Sequence, residues 1–210
     1  MSAAQAFTNA RRVIRIERAV ALFHEQQIQH YFLRWTSLVE ILDDLYNTTH
    51  FVVPAVILMI LFVKAPDRYV PARNTLAIMT ALALVGFAFF PLMPPRLLPP
   101  AYHFADTLKT VGGLWSFDSG PVASVSNQYA AMPSLHMGWA AWSAAVAVPN
   151  LRRTWERCLA VAYPMVTLFC IIVTANHYFL DAAAGLGVLG IAQLVQRTVP
   201  TRVHVTRVWE

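Results

Sequence analysis

Apolar residues fall into five long runs with short polar breaks between them: roughly Thr49–Val63, Thr75–Met93, Ser134–Val148, Cys158–Ala175 and Tyr178–Val195. A helix that crosses a bilayer needs about 20 residues, so the first and third runs are short unless flanking polar residues extend them. Extending the first run backwards carries Asn47 and His50 to the membrane edge. Residues 11–46 follow another pattern. Ile28, Tyr31, Phe32, Trp35, Val39, Leu42 and Tyr46 recur at helical spacing, whereas Glu25, Gln26, Gln27, Arg34, Glu40, Asp43 and Asp44 make a poor span. That pattern predicts an amphipathic helix on the membrane surface or packed against the bundle, with a sixth span as the other arrangement. The expected fold is all-α: an integral-membrane helical bundle of five to six transmembrane helices, connected up and down, plus an N-terminal amphipathic helix. The expected organisation is an amphipathic segment over 1–46, a transmembrane bundle over 47–197 and a basic tail over 198–210.

Composition agrees. Of 210 residues 57% are hydrophobic and 13% charged, against about 25% charged in soluble domains. The net charge of +5 comes from Lys and Arg placed between apolar runs, which suits membrane topology and not a nucleic-acid groove. Residues 64–73 and 150–157 hold three positive charges each, and Arg197, Arg202 and Arg207 follow the last run. The long stretch from Pro94 to Pro133 has only Arg96 and Lys109. The positive-inside rule makes the basic loops and tail cytoplasmic and puts the long loop outside a cell membrane. Arg11, Arg12, Arg15 and Arg18 run against this, since alternation over five spans places them outside too. No cleavable apolar leader is visible at the polar, basic N-terminus. Cys158 and Cys170 lie about three helical turns apart in one run, too far to bridge, and read as core thiols. No metal-ligand set stands out, so neither metal nor cofactor is expected.

Three polar points share one membrane face whatever the orientation. Arg96 follows the second run, His136 opens the third, and His177 lies between the fourth and fifth. Singly, Arg96 reads as an interfacial anchor and His177 as a neighbour of a helix cap. Together they read as a site. His177 and Asp181 are four apart, so on a helix they share a face and can touch. A His–Asp hydrogen bond offsets the cost of an apolar setting, fixes the tautomer and raises the basicity of the far nitrogen. The structural alternative is a buried polar pair tying two helices together. Pro133 suits a helix start and Ser134 can cap its free amides, which puts His136 in a first turn that favours anions. Arg96 offers a planar fork for phosphate oxygens. Two histidines, a carboxylate and an arginine around an anion pocket point to phosphoryl transfer through a histidine nucleophile.

Met132-Pro-Ser-Leu-His136 and Asn176-His-Tyr-Phe-Leu-Asp181 resemble the second and third signatures of the type 2 phosphatidic acid phosphatase superfamily, closest to its inositol-phosphorylceramide synthase-like branch. The resemblance spans roughly residues 47–195. It implies metal-independent hydrolysis or transfer of phosphate esters. In that scheme His177 is the nucleophile, Asp181 its orienting partner and His136 the general acid, while Arg96 and Ser134 hold phosphate. Two positions depart from the pattern. Arg96 comes after the prolines with no lysine in the preceding helix, and Cys170 and Ile171 stand where the third signature usually has Ser-Arg. Lys109, His50 and His103 are weaker candidates for the missing charge.

The expected activity is therefore that of a membrane lipid phosphatase or phosphotransferase with a lipid-phosphate substrate, working among membrane lipids at the outer face. The alternative within the class is a synthase that moves a phospho-headgroup onto a lipid or polyol acceptor. Outside it stand a small proton-coupled transporter and a structural membrane subunit. A transporter would place polar residues at mid-span on several helices. This chain gathers them at one face.

Overall fold

The computed structural model describes residues 2–111 and 128–199, so most of the basic tail and much of the long loop lie outside the described residues. The helices are α1 (Ala3–Ala19), α2 (Glu25–Phe32), α3 (Thr36–Lys64), α4 (Pro66–Phe89), the short α5 (Thr107–Thr110), α6 (Leu135–Ala147), α7 (Thr154–Val173) and α8 (Phe179–Thr198). Among the described residues the only β pairing is a single bridge, Leu92 to Ala130. α3, α4, α7 and α8 are long and apolar enough to cross a membrane. Only 22–33% of the most apolar stretch of each is buried inside the molecule, and outward residues such as Phe62, Val63, Phe89, Met165 and Leu194 are more than half exposed. Apolar area on that scale calls for lipid around the bundle.

The third run forms α6, 13 residues and about 20 Å long. A 3₁₀ turn, Val148–Asn150, extends it. α6 packs against α3, α4, α7 and α8 alike and is the hub of the bundle. Trp142 and Trp139 anchor it sideways on α4, donating to the Ala72 carbonyl and the Thr80 hydroxyl, each at 3.1 Å.

The N-terminal third differs in detail from the single amphipathic helix expected. Ala21, at φ 54°, ends the first helical stretch, and a second break precedes α3. α3 then runs unbroken through residues 46–47 and carries Asp43, Asp44, Asn47 and His50 within it. These polar residues count against a span only while they lack partners. Asp43 is fully buried and its Oδ1 accepts from the Thr107 hydroxyl at 3.0 Å. α1 packs on the end of the bundle through Ala10, Val13 and Ile14, against Leu92, Leu98 and Tyr178. Asn9 donates to the Pro91 carbonyl at 2.9 Å. Arg11, Arg12, Arg15 and Arg18 occupy the opposite, exposed face of α1. The other basic cluster is at the far end of the bundle. There α3 and α4 are joined by Ala65 alone, and Arg68 hydrogen-bonds Asn150 beside the α6–α7 connection.

α6 and α8 cross at glycines. A Cβ on Gly185 would collide with the Ser134 carbonyl oxygen, and one on Gly138 would come within 3.3 Å of the Gly185 carbonyl. Gly187, by contrast, has open space around it. Gly185→Ala is therefore expected to force the helices apart, at a cost of about 1–3 kcal/mol. Gly187→Ala should be neutral or gain up to about 1 kcal/mol from helix propensity. Thermal unfolding of the two variants in detergent checks this, and equal midpoints would show that the crossing has slack.

Candidate active site

The two sequence motifs are stitched together by backbone. Ser134 is the N-cap of α6, and its hydroxyl accepts from the Met137 amide at 3.3 Å. Pro133 therefore stands one residue ahead of the cap instead of opening the helix. The Ser134 amide donates to the Asp181 carbonyl at 3.0 Å, which locks the start of α6 onto the first turn of α8. Between α7 and α8 the chain turns tightly. Ala175 takes a left-handed φ of 51°, and the amides of Asn176 and His177 both reach the Ile171 carbonyl, at 3.0 and 3.2 Å.

Three side chains then line up. Asp181 Oδ2 lies 3.2 Å from His177 Nδ1, and His177 Nε2 lies 3.3 Å from His136 Nδ1. Asp181 is fully buried and His177 is 3% exposed. With Asp181 as a carboxylate, an acceptor only, the chain of bonds assigns the protons. His177 donates from Nδ1 and presents a lone pair on Nε2, to which His136 donates from Nδ1. His136 Nε2 is buried with no partner.

His136 is also held on its faces. The Tyr46 ring stacks on it at 4.2 Å and 18°, and the His50 ring lies 4.2 Å away at 58°. His50 Nδ1 donates to the Tyr46 carbonyl at 2.7 Å, which leaves its Nε2 as an acceptor. A cavity of about 60 Å³ opens beside these rings, with Thr49, Tyr163 and Thr167 on its other wall.

Arg96 reaches this region through a neighbour. Its amide donates to the Ala175 carbonyl at 2.9 Å and its Nε to Asn176 Oδ1 at 2.8 Å, next to His177. Its Nη1 pairs with Asp106 Oδ1 at 3.1 Å, and Lys109 meets the other Asp106 oxygen at 3.3 Å. The structure thus gathers His136, His177, Asp181 and His50, uses the Ser134 hydroxyl as a helix cap, and ties Arg96 and Lys109 to Asp106. His103 is exposed at a left-handed turn. Sequence reasoning passed over Tyr46, taken only as part of an apolar face, and Asn176. The i,i+4 spacing of Tyr46 and His50 was the available signal.

Arg96→Lys keeps the charge but cannot serve Asn176 and Asp106 with one fork. Leaving the Asn176 oxygen buried without its donor should cost about 1–3 kcal/mol. Asp106→Asn still offers an oxygen to the Arg96 fork and should cost less. The ranking is read from thermal unfolding, and the reverse order would remove Arg96 from the support of the 174–178 turn.

A family model described as PAP2 superfamily matches residues 11–195. Inositol phosphorylceramide synthase catalytic subunit aur1 of Schizosaccharomyces pombe is 26% identical over 158 residues. That alignment covers 67% of this chain and 36% of the yeast protein's length. No solved structure matches the chain.

Proposed function

The chain belongs to the PAP2 superfamily, and from that premise we propose that it is a membrane lipid phosphatase or phosphotransferase acting through a phosphohistidine on His177. The observation that carries the reading is the hydrogen-bonded chain Asp181–His177–His136. In the proposed cycle the His177 Nε2 lone pair attacks phosphorus while the bond to the leaving oxygen breaks, and His136, entering this step as an imidazolium, gives its Nδ1 proton to that oxygen and becomes neutral. Asp181 accepts from Nδ1–H throughout and stabilises the charge that develops on the ring. Neutral His136 then takes a proton from the attacking hydroxyl, of water in hydrolysis or of an alcohol in transfer, as the phosphohistidine bond breaks. The two rings are at hydrogen-bond distance, so a phosphoryl group has to part them. Arg96 and Lys109, both held on Asp106, supply positive charge at this end of the bundle.

The yeast relative's name favours a second reading within the class, a synthase that passes a phospho-headgroup to a lipid or polyol acceptor. A panel of lipid phosphates with purified protein, scored for released phosphate and for transferred headgroup, separates the two readings.

The histidine roles predict a cross-over. His177→Ala should be inactive on every substrate, because the covalent step is gone. His136→Ala should lose about 10²–10⁴-fold on a lipid phosphate, whose alkoxide leaves poorly, and much less on an aryl phosphate that leaves without protonation. Rescue of His177→Ala by the aryl ester would swap the two roles.

The orientation proposed is the site outside, with Arg68, Arg153 and Arg197 at the cytoplasmic end. In a Cys158→Ser background, Arg68→Cys and Arg153→Cys should be labelled from the cytoplasm and His103→Cys from outside. The reversed pattern would put the chemistry on the inner face.

A further inference from the structure

α8 has no side-chain cap of its own at Tyr178. Its first free amides are taken by two carboxyls from the N-terminal helices. Glu25 of α2 accepts from the Phe179 amide at 3.1 Å, and Glu17 of α1 accepts from the Leu180 amide at 2.7 Å. Both glutamates are fully buried, and the two amides lie between His177 and Asp181 in the chain. The second oxygen of each carboxyl, Oε2, is buried without a donor. No cation is among the groups that act on Glu17. Two facing carboxyls in that setting are stable only if they keep one proton, which closes a hydrogen bond between them.

The groups facing the pair are few. Asp181 lies on α8 and is bonded to His177. Tyr178 donates to the Met93 carbonyl at 3.1 Å, and burial together with Asp181, Glu17 and Glu25 keeps its phenol protonated; Tyr102 also faces it. Burial and then Glu25 push the Glu17 carboxyl from 4.5 up to about 9. Because that value lies above the unfolded one, the stability the pair contributes is complete below pH 4.5 and gone above about 9.

We propose that Glu17 and Glu25 form a proton-sharing positioning pair that fixes the first turn of α8 and thereby the geometry of His177 and Asp181. The inference rests on the proposed phosphotransfer reading, since it assigns the pair to that site. Neither glutamate touches substrate. Their part is to give the amides of α8 hydrogen-bonded acceptors that share one proton and one negative charge between them.

The test uses the full chain in detergent, with Glu17→Gln, Glu25→Gln and the double variant. A single glutamine still offers a carbonyl to its amide and an NH₂ to the remaining carboxylate. Each single variant should therefore keep kcat within about threefold, whereas the double, with two NH₂ groups facing and no acceptor, should lose about tenfold or more in kcat with KM little changed. On an aryl phosphate, which does not need His136 as acid, the wild type should lose activity reversibly as pH rises through about 9. Glu17→Gln should lack that limb. A double variant with wild-type kcat per folded molecule would overturn the proposal, as would an unchanged alkaline limb in Glu17→Gln. If the double variant does not fold, the pH comparison decides alone. A wild type inactive on every phosphate ester would sink the phosphotransfer reading instead. The infrared band of a protonated carboxyl, expected in the wild type and lost in Glu17→Gln, then still reports the shared proton, and its absence from the wild type overturns the pair.

Discussion

Asp181 is a carboxyl with no exposure at the head of a helix whose outer face is apolar, and such a group persists only where hydrogen bonds replace its hydration. That constraint organises one end of the molecule. Asp181 Oδ2 is paired with His177 while Oδ1 is buried without a partner, and the backbone carbonyl of the same residue receives the Ser134 amide. The next two amides back along the chain go to Glu17 and Glu25. α1, α2, α6 and the turn after α7 thus all terminate on a few residues of α8. The segment carrying Arg96 joins them through Ala175 and Asn176.

The second constraint is how closely α6 can approach that point. α6 is too short to span a bilayer unaided, yet it touches every long helix. Its backbone comes so near α8 that a Cβ at 185 would clash with the Ser134 carbonyl, and one at 138 would be tight. This approach sets the 3.3 Å separation of the two histidines, because His136 lies in the first turn of α6 and His177 just precedes α8. Tyr46 and His50 of α3 then close on the far side of His136. Small residues at the crossing and rings at its edge are two halves of one packing arrangement.

Much of this was legible along the chain. Apolar runs marked all five helices of the bundle, because lipid imposes the same demand on every residue of a span. His136, His177 and Asp181 stood out as polar residues inside such runs. The start of α3 was not legible, since Asp43, Asn47 and His50 argue against a span until Thr107 and the rings of Tyr46 and His136 are seen beside them. Glu17 and Glu25 were hidden for the same reason. A glutamate in an amphipathic segment reads as solvated, and nothing local shows that its partner is an amide more than 150 residues away. Arg96 was recognised as a charge near the site, but its bond to Asn176 is a tertiary fact.

In the proposed mechanism water competes with any alcohol for the phosphohistidine, so the walls around His136 would govern the balance between hydrolysis and transfer. The cavity beside that ring is about 60 Å³, room for little more than a few waters or a small part of a larger acceptor. Apart from a few hydroxyls and the imidazoles it is walled by apolar atoms such as those of Leu45, Val166 and Ile171. An ordered water wants two to four polar partners, which such a space provides poorly. An alcohol carried on an apolar chain needs only one, at its hydroxyl, and buries the rest of its surface against the same walls. In the proposed second step that hydroxyl gives its proton to the neutral His136 ring. Under the proposed mechanism the packing around His136 therefore favours an apolar alcohol over water as acceptor, while the Asp181–His177 pair that would carry the phosphoryl group serves either outcome equally.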